Sequence, residues 1–238
     1  MAVRVALSAR MQAVADMVTS GNRVADVGCD HGYVSIYLVQ QGRSEHVIAM
    51  DINKGPLERA GRHVKEAGLL SYISLRLSDG LANLKTGEAD TLICAGMGGR
   101  LMWRILSQEP KKTASFQELI LQPQSEIAEF RFFLTDAGYQ IVSEDMIREE
   151  GKFYSVIRAV KGGGGKLSGE EARFGPVLLE TKHPILKKYL EEQWGKLCGL
   201  EKELALAGEG KRLEQRRTEI QNEKNYVKKA AERMGISV

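Results

Sequence analysis

Three aspartates and two glycines are spaced to hold a small cationic nucleoside. The segment Val24-Ala25-Asp26-Val27-Gly28-Cys29-Asp30-His31-Gly32 is a short apolar run that carries Asp26 and breaks into Gly28-x-Asp30-x-Gly32. The stretch from Val34 to Gln41 reads as a helix. A strand that stops at a glycine turn and restarts as a helix turns backbone N–H groups toward a crevice at the strand's carboxyl end, where open α/β sheets bind nucleotides. Nineteen residues after Gly32, a second apolar run, Val47–Met50, ends in Asp51. A carboxylate there can accept both hydroxyls of a ribose.

The spacing also selects between cofactors. The dinucleotide fingerprint Gly-x-Gly-x-x-Gly sets a pyrophosphate on the helix N-terminus. Here an acid, Asp30, stands in the middle of the turn, where it repels a pyrophosphate and attracts a sulfonium or ammonium group. S-adenosylmethionine has no phosphate and carries both cations, so it is favoured over NAD. The expected cradle is Asp26, Gly28, Asp30, His31 and Gly32, with Asp51, Ile52 and Asn53 at the second strand. Ser78, Asp79 and Gly80 follow a third strand, where Asp79 can accept from the adenine amine. Cys29 and Cys94 read as small packing residues, His31 as a cleft-lining residue, and Trp103 and Trp194 as core or inter-domain anchors.

The run Ala95-Gly96-Met97-Gly98-Gly99 ends a fourth strand, beside the expected reactive methyl. Enzymes that methylate an exocyclic adenine amine place Asp/Asn-Pro-Pro-Tyr/Phe there, and this chain has no such tetrad. Ala95 and Gly96 instead allow a base or the methionine moiety close to the backbone. A ring nitrogen already has a lone pair, so its methylation needs positioning more than a general base. The expected catalytic set is therefore Asp30, Gly96 and Met97, with Asp30 favouring the cationic product. No metal ligand set is expected.

The elements that must position these groups follow from periodicity. A helix capped by Ser8 is predicted over 9–19, strands over 23–27, 46–51, 73–77, 90–94 and 118–121, and helices over 57–67 and 100–107. A helix capped by Ser125 is predicted to end at Gly138, and strands 139–147 and 153–160 read as a hairpin. Strand–helix alternation ending in a hairpin predicts an α/β fold, a seven-stranded Rossmann-like class I methyltransferase sheet. Four glycines at 162–165 mark a boundary, giving a methyltransferase domain over 1–161 and a helical domain over 166–238. There, helices over 185–206 and 211–234, turning near Gly208-Glu209-Gly210, predict a C-terminal coiled-coil hairpin with a seam at Leu213, Ile220 and Val227.

Charge follows the same division. Residues 1–160 hold 18 Lys/Arg against 19 Asp/Glu, and 161–238 hold 16 against 12, within a total of +3. Lys187, Lys188, Arg216, Arg217, Lys228 and Lys229 are candidate phosphate contacts on the tail, and Arg4, Arg10, Arg100 and Arg104 at the mouth of the site. A solvated coiled-coil face is the alternative for the tail lysines. Three scattered cysteines argue against a disulfide frame and for a cytoplasmic protein, and no apolar stretch is long enough for a membrane span.

Together, Asp26-Val27-Gly28-Cys29-Asp30-His31-Gly32, Met50-Asp51-Ile52-Asn53, Ser78-Asp79-Gly80-Leu81, Ala95-Gly96-Met97-Gly98-Gly99 and Leu121-Gln122-Pro123-Gln124 resemble the bacterial TrmK family. That family consists of tRNA (adenine-N1)-methyltransferases acting on position 22. The resemblance implies that Gly28, Asp30, His31, Asp51, Asn53, Asp79, Gly80 and Gly96 bind S-adenosylmethionine and that the basic tail helps hold tRNA. The expected actor is a monomer or weak homodimer. The alternatives are a small-molecule or protein methyltransferase whose tail dimerises, and a catalytically inactive RNA-binding protein.

Overall fold

The computed structural model describes residues 4–206, 208 and 210–238. The chain divides into two compact units, residues 1–165 and 166–238. In the first, the elements run α1 (Ala9–Asp16), β1 (Val24–Val27), α2 (Tyr33–Gln40), β2 (Val47–Asp51), α3 (Lys54–Glu66), β3 (Ile73–Leu77), β4 (Thr91–Met97), α4 (Gly99–Gln108), α5 (Pro110–Thr113), β5 (Glu118–Pro123), α6 (Ile127–Asp136), β6 (Tyr139–Glu149) and β7 (Lys152–Lys161).

Among the described residues the strands form one seven-stranded sheet in the order β3-β2-β1-β4-β5-β7-β6. Neighbours from β3 to β5 are parallel, and β7 runs antiparallel to both β5 and β6. The order reverses between β1 and β4, which opens a crevice at their carboxyl ends. Apolar runs such as Val24–Val27 and Val47–Asp51 are buried along their whole length because helices cover both faces of a parallel sheet. Val14 and Val18, Ile36 and Leu38 complete the core with Val47, Ile93 and Ile120.

Two boundaries differ from expectation for identifiable reasons. Strand β4 continues beyond Cys94 to Met97, because β5 offers partners as far as Pro123. The register shifts between Ala95 and Met97, and Gly96, at φ +76°, is the extra residue of that irregularity. Ser125 does not cap α6. Glu126, at φ +47°, is the cap residue, while the Ser125 hydroxyl turns to the Glu126 carboxylate and its carbonyl accepts from Gly99 N–H at 3.0 Å.

The second unit contains α7 (Gly169–Phe174), α8 (Pro176–Glu180), α9 (Pro184–Leu206) and α10 (Lys211–Met234). The two long helices pack on each other; Glu209 of the expected turn lies outside the described residues. Ile220 and Val227 are buried and Leu213 is half-buried. Ser168 and Glu171 form a capping box on α7, and Arg233 donates to Glu171 at 2.7 Å.

Candidate active site

The first glycine turn is a tight, internally bonded loop. Gly28 sits at φ +76°, Asp30 at +40° and Gly32 at +72°, and Gly32 is the N-cap residue of α2. A Cβ at Gly28 would overlap the terminal methyl of Met97. The Gly28 and Cys29 N–H groups both donate to the Met50 carbonyl, at 2.8 and 3.0 Å, and Gly32 N–H donates to the Cys29 carbonyl at 2.7 Å. These three amides are spent inside the fold, so they do not form a phosphate nest. The glycines serve close approach instead, which suits a ligand without phosphate.

Two buried carboxylates stand at the ends of adjacent strands. Asp26 is 4% exposed and Asp51 8%. Ser35, at the start of α2, donates its hydroxyl to Asp26 at 2.7 Å. Burial pushes the Asp26 carboxyl up to about 6; the Ser35 bond opposes this and the neighbouring charge of Asp51 adds to it. Asp51 Oδ1 accepts from Asn53 N–H at 2.8 Å, and the Asp51 carbonyl accepts from Ser78 N–H at 2.8 Å. Ser78 donates to the Gly80 carbonyl at 2.9 Å and accepts from Asn83 N–H at 3.1 Å, which fixes the turn that carries Asp79. Asp79 itself is half-exposed, 3.8 Å from Arg104 Nη2.

The crevice between β1 and β4 encloses a cavity of about 310 Å³ lined by Asp26, Gly28, Asp30, His31, Ala95 and Gly96 among others. Asp51, Ile52, Asn53, Ser78, Asp79 and Gly80 stand apart from that cavity, at the ends of β2 and β3. Met97 reaches the site from β4 through its contact with Gly28. Asp30 is at the mouth, 56% exposed, 2.9 Å from Arg59 and 3.6 Å from His31 Nε2. The His31, Tyr33 and His63 rings stack at centroid distances of 4.9–5.6 Å, and His63 Nδ1 lies 2.9 Å from the His31 carbonyl oxygen. Burial pushes the Cys29 and Cys94 thiols up, which leaves both as packing groups.

Sequence reasoning missed a polar node at the floor. Gln122 is fully buried, and its Oε1 accepts from Gly96 N–H at 3.1 Å and from Arg10 Nη1 at 2.8 Å. Arg10, expected at the mouth, lines the cavity and is committed there to Gln122, Glu149 and the face of Tyr154. Gln124, Tyr33 and Met11 also line the cavity. A glutamine inside the otherwise apolar run Leu119–Pro123 was the available signal.

The other candidate RNA contacts are scattered. Arg4, Lys188, Lys228 and Lys229 are exposed. Arg100 and Arg104 stand one turn apart on α4, Lys187 is 4.0 Å from Glu191, and Arg216 is 2.8 Å from Glu219. Arg217 donates to the Leu204 and Gly208 carbonyls, at 2.8 Å each, and so ties α10 to the end of α9.

Sheet order, glycine turn and strand-end carboxylates together define a Rossmann-like methyltransferase, and residues 7–157 match the methyltransferase domain family. The chain is 38% identical over 193 residues to the tRNA (adenine(22)-N(1))-methyltransferase of Bacillus subtilis, covering 78% of this chain and 81% of that protein, and it belongs to that family. The crystal structure of the B. subtilis m1A22 tRNA methyltransferase TrmK is similar at TM-score 0.84 and 31% identity, covering 95% of this chain and 99% of that one. Sp1610 of Streptococcus pneumoniae, solved in complex with S-adenosyl-L-methionine, is similar at TM-score 0.83 and 34% identity, covering 94% and 99%. Among the described residues, no helix is long and apolar enough to cross a membrane.

Proposed function

We propose that this chain transfers the methyl group of S-adenosylmethionine to N1 of an adenine in tRNA, at position 22 as in its B. subtilis relative. The observation that carries the reading is the pair of buried carboxylates, Asp26 and Asp51, beside a glycine loop whose Gly28, Cys29 and Gly32 amides are already bonded. Such a cleft is matched to a cationic nucleoside and mismatched to a dinucleotide.

The cofactor supplies a methyl on a positively charged sulfur. Asp51, with Oδ1 held by Asn53 N–H, offers Oδ2 to the ribose hydroxyls. Ile52 and Asn53 flank the sugar, and Asp79, carried on the fixed Ser78–Gly80 turn, accepts from the adenine amine. Asp26, aided by Gly28, His31 and Gly32, faces the methionine ammonium. A cation there offsets the desolvation that raises the Asp26 carboxyl and keeps it ionised. Ala95, Gly96 and Met97 bring the target base close to the backbone, and the Gln122 node holds Gly96 in place. The neutral base attacks through its own lone pair, so no side chain removes a proton. Positive charge moves from sulfur to the base, and the carboxylate of Asp30 at the mouth favours it there. Arg59 beside Asp30 moderates that field.

N1 lies on the Watson–Crick edge, so the nucleotide leaves its stack at a cost of roughly a few kcal/mol, offset by phosphate contacts from the basic tail. Arg4, Arg100 and Arg104 supply further contacts, and recognition follows tRNA shape. The division of labour is a methyltransferase domain over 1–161 and an RNA-holding helical domain over 166–238. The active form in this reading is a monomer or weak homodimer. Three free thiols suit the cytoplasm.

Incubation with methyl-labelled cofactor and unmodified tRNA tests the reading. Label at N1 of a single adenine is expected; label only in protein or small molecules, or none, overturns it.

A further inference from the structure

An exposed tryptophan lies next to the site with no part in the chemistry above. Helix α4 buries Met102, Ile105 and Leu106, and its outward stripe is Arg100, Trp103, Arg104 and Ser107, at i, i+3, i+4 and i+7. Trp103 is 45% exposed in that stripe, where burial of apolar surface would not place it. Its indole stacks on Phe133 at 4.8 Å and 22°, and Phe133 in turn stacks on Phe130 at 5.9 Å, so the ring is braced from one side. The stripe, with Gln108, forms an open, shallow surface along one side of α4.

The flanking charges point to the occupant. Arg100 is 86% exposed and only 3.3 Å from Glu126, and Arg104 is half-exposed at 3.8 Å from Asp79. Exposed pairs of this kind contribute little, so both guanidinium groups are free to exchange carboxylate for phosphate. Arg104 also fixes the location, because Asp79 belongs to the turn assigned to the cofactor adenine, and Gly98, at the start of α4, follows Met97 directly. A flat aromatic face between two cations is the composition that binds an unstacked nucleotide: base on the ring, phosphates on the arginines.

We propose that Trp103, Arg100 and Arg104 form a stacking shelf for an unpaired base of the RNA substrate, a neighbour of the methylated adenine. The proposal rests on the RNA reading and adds a subsite to it. Flipping the target out of its stack strips its neighbour of a stacking partner, and the indole replaces that partner. The braced ring needs no reordering to do so, and Ser107 at the far end offers a hydroxyl to any base, which makes the shelf tolerant of sequence.

Steady-state transfer to unmodified tRNA, with cofactor affinity and Tm measured alongside, tests the shelf. Base–aromatic stacking predicts that Trp103→Ala raises KM for tRNA by about ten-fold or more, with cofactor Kd unchanged. Trp103→Phe recovers most of the loss, and the Arg100→Ala/Arg104→Ala double variant raises KM while flattening its salt dependence. Because Trp103→Ala also removes the Phe133 stacking, a second readout avoids that variant. In a Trp194→Phe background Trp103 is the sole tryptophan of the chain, and saturating tRNA is expected to quench its fluorescence. A wild-type enzyme that methylates tRNA, with Trp103→Ala at wild-type KM or with the indole unquenched, overturns the shelf alone. A wild-type enzyme that transfers no methyl to tRNA overturns the RNA reading and the shelf with it.

Discussion

The hydroxyl of Ser35, on the first turn of α2, donates to the carboxylate of Asp26, inside β1, across 2.7 Å of buried space. One neutral donor does not offset full desolvation, and the carboxyl rises from 3.8 to about 6. Relative to the unfolded chain, folding without ligand therefore favours the protonated form. The stability contribution of that proton is complete below pH 3.8 and is lost as pH rises through about 6. Asp26→Asn, which keeps an acceptor for Ser35, is expected to stabilise the ligand-free protein above pH 7 by up to about 3 kcal/mol. Thermal unfolding at pH 7.5 checks this, and an unchanged or lower Tm refutes it.

The same residue gives cofactor binding its pH dependence. Calorimetric affinity of the wild type for S-adenosylmethionine is expected to fall as pH drops below about 6. Asp26→Asn is weaker throughout and flat over that range. Parallel curves for the two proteins would remove Asp26 from the ammonium site.

Asp51 tests the sugar end. It is buried, and its Oδ1 holds Asn53 N–H in place. Asp51→Ala removes a charge-assisted acceptor for two hydroxyls, each bond contributing about 1.5–3 kcal/mol. A loss of cofactor affinity of about 100-fold or more is expected by titration, and unchanged affinity would exclude Asp51 as the ribose ligand.

How much of the molecule is legible before folding depends on whether the information is local. Asp51 at the end of an apolar run and the Ile73–Leu77 strand are short-range patterns, and both are where the pattern puts them. The Gln122 node joins Arg10 to a strand 112 residues away, and no periodicity encodes such a pairing. Capture of Asp30 by Arg59 on α3 is likewise a tertiary event. Strand β4 outruns its expected end because Gly96 bulges where a glycine run reads as a loop. Helices α5, α7 and α8 span at most six residues, too few to display a helical period. Trp103 is not the buried anchor that a tryptophan in an amphipathic helix suggests, because Met102, Ile105 and Leu106 already fill the inner face.

Gly28 couples the first turn to the end of β4. Gly28→Ala imposes a left-handed backbone on a residue with a Cβ, costing about 1–2 kcal/mol, and pushes the Met97 methyl aside. Adding Met97→Ala relieves the overlap but not the backbone strain. The double variant is therefore expected to recover part of the Tm lost in Gly28→Ala. Full recovery would show that sterics alone select glycine here.

On the tail, the basic residues separate into two kinds. Lys228 and Lys229 are exposed on consecutive positions of α10, away from its buried Val227, Ala230 and Ala231. Arg217 spends its Nη2 on two backbone carbonyls at the end of α9 and just beyond it. Charge reversal at Lys228 and Lys229 is therefore expected to weaken tRNA binding across sequences, with Tm within about 1 °C of wild type and a salt slope smaller by roughly one unit for each phosphate no longer neutralised. Arg217→Ala uncovers the Leu204 carbonyl in the last turn of α9 and the Gly208 carbonyl beyond it, and is expected to lower Tm before it changes RNA affinity. Filter binding at salt concentrations from about 50 to 200 mM, paired with thermal melts, distinguishes the two. If the lysine reversals leave the salt slope untouched, the tail is a solvated coiled-coil face and the phosphates are held elsewhere.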